Sequence, residues 1–152
     1  MKHQKLHLDQ LERKLAPYSK AHQSVRPEIG WIKTIRKSLG MSLEQLGRKM
    51  RLSKQSIQSM EKREATGAIT LSALMEVAKA LDMELVYGFV PKGGSVMHLV
   101  EEKAKKMATE IVMRTSQNMR LEDQSLPHKR IEKAIADRTQ EILKELPKSL
   151  WD

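Results

Sequence analysis

The 152-residue chain has no cysteine, very few aromatic residues and no long apolar run. Without cysteine it has no disulfide framework, no Cys-based zinc site and no thiol nucleophile. No apolar stretch approaches the about 18 residues of a membrane span, and the N-terminus lacks the apolar region of a signal peptide. We therefore expect a cytoplasmic protein with a mostly aliphatic core, in which ten Met residues allow adaptable packing.

Positive charge is in excess and is concentrated in one part of the chain. The net charge is +9, and residues 30–64 alone carry nine Lys and Arg against three Glu. Residues 65–95, by contrast, carry two basic and three acidic side chains. A basic excess favours an anionic partner, of which nucleic acid is the commonest. The charge therefore indicates that residues 30–64 bind nucleic acid.

The same segment has the pattern of two short helices joined by a tight turn. Ser42 stands three residues before Gln45, which forms a capping box, and Ser53 begins a second helix in the same way. Apolar residues recur at helical spacing in both helices, and Gly47 lets the helices approach. The outward face predicts a surface for base edges and phosphates, formed by Lys54, Gln55, Gln58, Ser59 and Lys62. The alternative is an ordinary helical hairpin with a solvated polar face.

Two charged residues lie on helices that this motif brings together. Arg36 lies on the helix that follows Gly30, and Glu61 lies in the second helix of the motif. A buried ion pair between them would tie these helices together; otherwise both are surface charges.

Residues 84–92 have the aromatic and β-branched composition of a short strand, bounded by Pro91 and by Gly93 and Gly94. A lone strand in a helical chain needs a partner for its backbone groups. The economical partner is the same strand of a second copy, which predicts a homodimer; the alternative is an extended N-terminal segment. The dimer contacts would come from Leu85, Val86, Tyr87, Phe89 and Val90.

Four regions follow from these patterns. Residues 1–29 form an N-terminal helix and linker, 30–83 the DNA-binding domain, 84–94 the strand and a hinge, and 95–152 a C-terminal helical hairpin. We expect a break in residues 118–125 between the last two helices. These helices either pack on the domain or present a groove-filling surface to another protein.

Residues 35–85 contain a series of short motifs: Ile35-Arg36, Leu39-Gly40-Met41-Ser42, Leu46-Gly47, Leu52-Ser53, Gln55-Ser56-Ile57 and Glu61. By these motifs, the segment resembles the Cro/C1-type (XRE) family of helix-turn-helix domains. The resemblance implies a lambda-repressor-like domain. Together with the patterns above, it predicts a mainly α protein that has one short β-strand and a C-terminal helical extension. It implies major-groove contacts from Ser53, Lys54, Gln55, Ser56 and Ser59. It also implies phosphate contacts from Ser42, Lys62, Arg63 and Thr66. Arg51 departs from the pattern, because many relatives have Gly in that turn.

A longer set of motifs extends the resemblance over most of the chain: Gly30-Trp31-Ile32, Ile69-Thr70-Leu71, Ala80-Leu81-Asp82, Glu84-Leu85-Val86-Tyr87 and Val90-Pro91-Lys92. With these the chain resembles the bacterial mobile mystery protein A family, whose members occur beside a Fic-domain protein. The resemblance implies an autoregulating, antitoxin-like partner of a Fic-type toxin. Fic-inhibiting helices usually carry Ser/Thr-x-x-x-Glu followed by Gly or Asn. The nearest run here, Ser72 to Glu76, is followed by Val77, so we do not assign it that role.

The sequence contains little evidence for a catalytic site or a metal site. His3 and His7 are four residues apart, but no further His, Cys or carboxylate cluster completes a metal site. No Ser, His and acid signature marks a catalytic site, and Gly93 and Gly94 lack the Lys-Ser/Thr of a phosphate-binding loop. We therefore expect a homodimeric, sequence-specific DNA-binding repressor without cofactor or metal. The alternative is a protein-interaction module that neutralises a Fic-type enzyme, with DNA binding secondary.

Overall fold

The computed structural model describes residues 2–121 and 127–152. These residues form seven α-helices, which confirms the mainly helical fold class: α1 (Lys2–Leu15), α2 (Trp31–Ser38), α3 (Leu43–Met50), α4 (Lys54–Thr66), α5 (Leu71–Ala80), α6 (Val96–Leu121) and α7 (His128–Glu145). Short 3-10 helices occur at Ala16–Tyr18, Ala21–Gln23 and Lys148–Trp151. Among the described residues, no helix combines the length and apolar character that a membrane span requires.

The chain divides into two compact units. The central unit comprises residues 22–88 and contains α2 to α5. The terminal unit comprises the described parts of residues 1–21 and 89–152 and contains α1, α6 and α7.

Apolar side chains from all four helices build the core of the central unit. Its buried members are Ile32, Leu46, Ile57, Met60, Val77 and Leu81. Thr70 caps α5 by accepting a hydrogen bond from the Ala73 N–H at 3.2 Å, and Gly40 ends α2 with a φ of +65°, a conformation that glycine adopts without strain. Local caps therefore mark where α5 begins and where α2 ends, and the apolar stripes determine which helix faces pack together.

The terminal unit has a separate core in which α6 packs against α7. Its buried members are Val100, Ala104, Ala108, Ile142 and Leu150. Leu8 of α1 packs on the same cluster, and the Glu12 carboxylate accepts the Val96 N–H at 2.6 Å, which caps the first turn of α6. The first helix of the chain therefore belongs to the same compact unit as the last two.

Two predictions from the sequence are wrong. Residues 84–92 form no strand, and residues 84–90 make no backbone–backbone hydrogen bond to the described part of the chain. A strand requires a neighbour to pair with its backbone groups, and no described segment of this chain supplies one. The break expected in residues 118–125 is absent from residues 118–121, where α6 continues to Leu121. No Gly or Pro interrupts residues 118–121, and residues 122–126 lie outside the described residues.

Candidate nucleic-acid interface

Helix α3 begins at a complete capping box. The Gln45 N–H donates to Ser42 Oγ at 3.1 Å, and the Ser42 N–H donates to Gln45 Oε1 at 2.6 Å. These two bonds satisfy donors that the first turn of a helix otherwise leaves unpaired. Ser42 is exposed at this helix end, so its side chain lies at the surface where a phosphate contact is expected.

The turn between α3 and α4 is tight because Gly47 has no side chain. The Leu52 N–H donates to the Gly47 carbonyl at 2.8 Å. A Cβ on Gly47 would lie 2.6 Å from the Leu52 carbonyl oxygen, a distance that only a shift of the backbone could relieve. Arg51 ends α3 in the left-handed region, with a φ of +57°. This conformation is strained for a residue with a Cβ and explains why glycine is favoured at such a position.

Helix α4 begins at Ser53, whose side chain caps it. The Ser56 N–H donates to Ser53 Oγ at 3.1 Å, and the two hydroxyl oxygens lie 2.8 Å apart. Ser53 and Ser56 are therefore brought together at the first turn, where their hydroxyl groups already have protein partners. Either hydroxyl has further hydrogen-bonding capacity for a base edge or a phosphate.

The inner face of α4 carries two buried carboxylates beside its apolar residues. Arg36 and Glu61 form a buried ion pair, with Arg36 Nε 2.6 Å from Glu61 Oε1, and Arg36 Nη1 also donates to the Met41 carbonyl at 2.8 Å. Glu64 is only 4% exposed. Its carboxylate accepts the N–H groups of Trp31 at 2.7 Å and Ile32 at 2.8 Å. Both contacts bind α4 to α2.

Glu64 therefore replaces the side-chain cap that α2 lacks. The residue before α2 is Gly30, which has no side chain to accept a hydrogen bond. Gly30 has a φ of +84°, and a Cβ there would lie 2.8 Å from Glu64 Oε2. The first turn of a helix favours a negative charge, because its N–H groups are unpaired and its dipole is positive at that end. A carboxylate from α4 supplies that charge, and glycine leaves room for it.

The outer face of α4 carries neutral and basic side chains, all of them exposed: Gln55, Gln58, Ser59, Lys62, Arg63 and Thr66. Positions 55, 59, 62 and 66 recur at helical spacing opposite the buried positions 57, 60, 61 and 64. The side chains of Gln55, Gln58 and Ser59 make no hydrogen bond to the described part of the chain, whereas Thr66 Oγ1 donates to the Lys62 carbonyl at 3.1 Å. The face therefore offers amides, hydroxyls and cations to a partner.

Lys54 already has a partner in the chain. Its Nζ lies 2.7 Å from Glu44 Oε1 of α3, and both side chains are about half exposed. The hydrogen bond from Lys54 lowers the pKa of Glu44 to about 2. At this exposure the pair is screened by water, so a phosphate or a base can take the place of the carboxylate. Lys54 lies at the predicted interface, but it must exchange Glu44 for a DNA contact.

The match to a family model agrees with this geometry. Residues 32–87 match a family described as helix-turn-helix. This segment is a helix-turn-helix domain of the Cro/C1 (XRE) type. Searches of curated proteins and of solved structures returned no match. The matched segment runs from the second residue of α2 to beyond α5. Helix-turn-helix domains of this type are a DNA-binding regulatory family and not an enzyme family.

The expected dimer residues lie beyond α5. Leu85 is half-buried and, with Val86, lines an apolar groove of about 260 Å³ beside Trp31, within the central unit. Val86 is 70% exposed and Tyr87 61% exposed. In the terminal unit, Phe89 is 79% exposed and Val90 is half-buried. Within the described residues, no group of three His, Asp or Glu side chains is arranged to hold a metal ion.

The role of Glu64 was missed by the sequence interpretation. Its signal is present in the spacing, because positions 57, 60, 61 and 64 are the inward positions of a single helix face. Two acidic residues at such positions need buried partners. The sequence predicts Arg36 as the partner of Glu61, whereas the backbone N–H groups that pair with Glu64 are not visible in a sequence.

Proposed function

We propose that this chain is a sequence-specific DNA-binding repressor that inserts the outer face of α4 into the major groove. The inward orientation of both carboxylates of this helix is the observation that carries the proposal. Because Glu61 and Glu64 are buried, the outer face presents no acid to the phosphates. A helix in the major groove needs such a face, with hydrogen-bonding side chains for base edges and cations for the backbone.

Gln55 is the residue that we propose for direct readout of an adenine. It lies in the first turn of α4, and the first turns of a recognition helix meet the base edges in domains of this class. A glutamine amide can donate to and accept from one adenine at the same time. Lys54 would read a guanine or hold a phosphate after leaving Glu44.

The test begins with selection of bound fragments from random duplex DNA. With the selected operator, Gln55→Ala should cost about 1–3 kcal/mol at one base pair and little on non-specific DNA. Gln140→Ala removes the same side chain from an exposed position on α7 and serves as the matched control. A loss that is equal on all sequences would contradict base readout by Gln55.

Phosphate contacts are proposed for Ser42, Lys62, Arg63 and Thr66, which flank the reading positions. Each neutralised phosphate releases condensed counterions, so log K falls with log salt concentration. Arg63→Gln should therefore make the slope of log K against log salt concentration less steep, by the contribution of about one phosphate contact. It should weaken binding evenly across sequences. An unchanged slope would exclude Arg63 from the backbone contacts.

We propose that the repressor acts as a homodimer that uses the exposed apolar segment after α5. Val86 both lines the apolar groove and is 70% exposed, so one patch contains a groove and a protruding side chain. A two-fold dimer joins identical patches, and a patch of this kind can complement itself. Sedimentation equilibrium should give a dimer mass for the parent chain and a monomer mass for Val86→Asp. The selected operator should be a palindrome.

A second candidate function is neutralisation of a Fic-type enzyme through residues 96–152; the family resemblance implies a Fic-type partner. The observation that favours it is a second core separate from that of the DNA-binding domain, together with exposed large apolar side chains, among them Leu99 and Met113. The test is inhibition of a purified Fic-domain protein of the class that the resemblance implies as the partner. Leu99→Asp should weaken inhibition and Gln55→Ala should not. Absence of inhibition by the parent chain would exclude this function.

A further inference from the structure

We infer that Leu52 is a specificity-determining residue that receives the 5-methyl group of a thymine in the operator. The inference rests on the proposed function, because it names the base that the same surface selects. It concerns an apolar side chain in the turn before α4, whereas the reading positions considered above are polar.

The turn holds Leu52 at the surface. Its N–H is bonded to the Gly47 carbonyl at 2.8 Å, and its own carbonyl lies so close to Gly47 that no Cβ fits between them. The backbone of Leu52 is therefore fixed on both sides by α3. Its side chain remains 41% exposed, directly before the Ser53 cap of the recognition helix.

Leu52 forms an apolar wall of a shallow depression on the reading surface. The depression has a volume of about 450 Å³ and is lined by Leu52, Gln55, Ser56, Ser59, Met60 and Arg63. Met60 is buried beneath it, and the other lining side chains are polar. A partner that fills this depression must present a small apolar group surrounded by hydrogen-bonding atoms and negative charge.

The major groove of DNA presents such a group at one base. Thymine carries a C5-methyl group there, next to the acceptor and donor atoms of the A·T pair, and phosphates lie on both sides. The Gln55 amide lines the same depression and is suited to adenine. Leu52 and Gln55 together therefore favour A·T pairs, with the methyl group on Leu52 and adenine hydrogen bonds on Gln55. The basic rim formed by Arg63 is complementary to the phosphates.

The experiment removes the methyl group and nothing else. Each thymine of the selected operator is replaced in turn by deoxyuridine, and the dissociation constant is measured at fixed salt concentration. Burying one methyl group is worth about 0.8 kcal/mol, which corresponds to about a four-fold change in affinity. We expect one thymine position per half-site to show about this loss with the parent chain.

Variants assign the effect to Leu52. In Leu52→Ala, thymine and uracil at that position should bind equally well, whereas Leu52→Met should retain a preference for thymine because it keeps an apolar side chain. Leu71→Ala is the matched control, since Leu71 is a leucine of the same unit with nearly the same exposure, 42%. It should leave the four-fold preference unchanged.

The outcomes separate this inference from the proposed function. If the parent chain selects an operator but no thymine-to-uracil replacement weakens binding, the inference is wrong and the repressor function stands. The same conclusion follows if the preference persists in Leu52→Ala. If the parent chain binds no duplex at modest ionic strength, the proposed function and the inference fail together.

Discussion

Removal of the Glu64 carboxylate should lower the urea concentration at which the central unit unfolds. Glu64→Ala leaves the Trp31 and Ile32 N–H groups at the start of α2 without their acceptor. Hydrogen bonds to a charged group contribute about 1.5–3 kcal/mol each. Part of the lost hydrogen-bond energy is offset, because the variant no longer buries a carboxylate. We therefore expect the free energy of unfolding to fall by about 2–4 kcal/mol.

Trp31 is a suitable probe, because its own N–H is one of the two donors. In a Trp151→Phe background, tryptophan fluorescence reports only on the central unit, so the terminal unit does not disturb the transition. Glu64→Gln keeps one carbonyl oxygen as an acceptor, so it should lower the free energy of unfolding by about half as much as Glu64→Ala. Glu76→Ala, which removes an exposed Glu from α5, is the control and should change the free energy by less than about 0.5 kcal/mol.

A double-mutant cycle with Gly30 tests the contact itself. Gly30→Ala places a Cβ 2.8 Å from the Glu64 carboxylate at a φ of +84°, and we expect it to cost about 1–3 kcal/mol. In the Glu64→Ala background the clash is absent and only the backbone strain remains. The two losses should therefore sum to more than the loss in the double variant. Equal urea midpoints for the parent chain and Glu64→Ala would refute the assignment of Glu64 as the cap of α2.

Four further experiments test other contacts of the domain, each by urea titration. Gly47→Ala should lower the free energy of unfolding by about 1–3 kcal/mol, because its Cβ meets a backbone carbonyl of the turn. Arg36→Met should lower it by about 3–5 kcal/mol by leaving Glu61 buried without a partner, and Arg36→Met with Glu61→Leu should recover most of that loss. Arg51→Gly should raise it by about 1 kcal/mol, since the left-handed conformation then carries no strain. The pKa of Glu44 is lowered from 4.5 to about 2, so this carboxylate stabilises the fold above pH 4.5 and loses that effect as the pH falls toward 2. Glu44→Gln should flatten the pH dependence in this window, and an unchanged profile would contradict the pairing.

The helices of the central unit could be predicted because local signals specify them. The Ser42–Gln45 capping box and Gly47 at the helix contact are readable from spacing alone, and the structure contains both. The helix-turn-helix prediction is confirmed by the matching family model. Each of these features depends on residues within a few positions of one another, where sequence and geometry are directly linked.

The contacts that sequence reasoning did not find join distant residues. Glu64 caps a helix that begins 33 positions earlier, and Glu12 caps one 84 positions later. The spacing of α4 places Glu64 on its inward face, but nothing in the local pattern identifies the distant N–H groups that Glu64 and Glu12 accept. The strand over residues 84–92 was predicted from composition, but β-propensity reflects packing against neighbouring strands. Without a neighbouring strand in the described part of the chain, the composition does not produce a strand.

Stability and recognition are linked in α4 by the direction in which its acids point. Glu61 is neutralised by Arg36, and the charge of Glu64 is directed at the positive end of α2. Each acid thus stabilises the domain at a place where it is shielded from the outer face. The electrostatic potential above that face is then set by Lys62 and Arg63, while Lys54 at the start of the helix is paired with Glu44. A helix of nearly balanced composition can therefore present a basic surface to DNA, because the fold divides its charges between two faces.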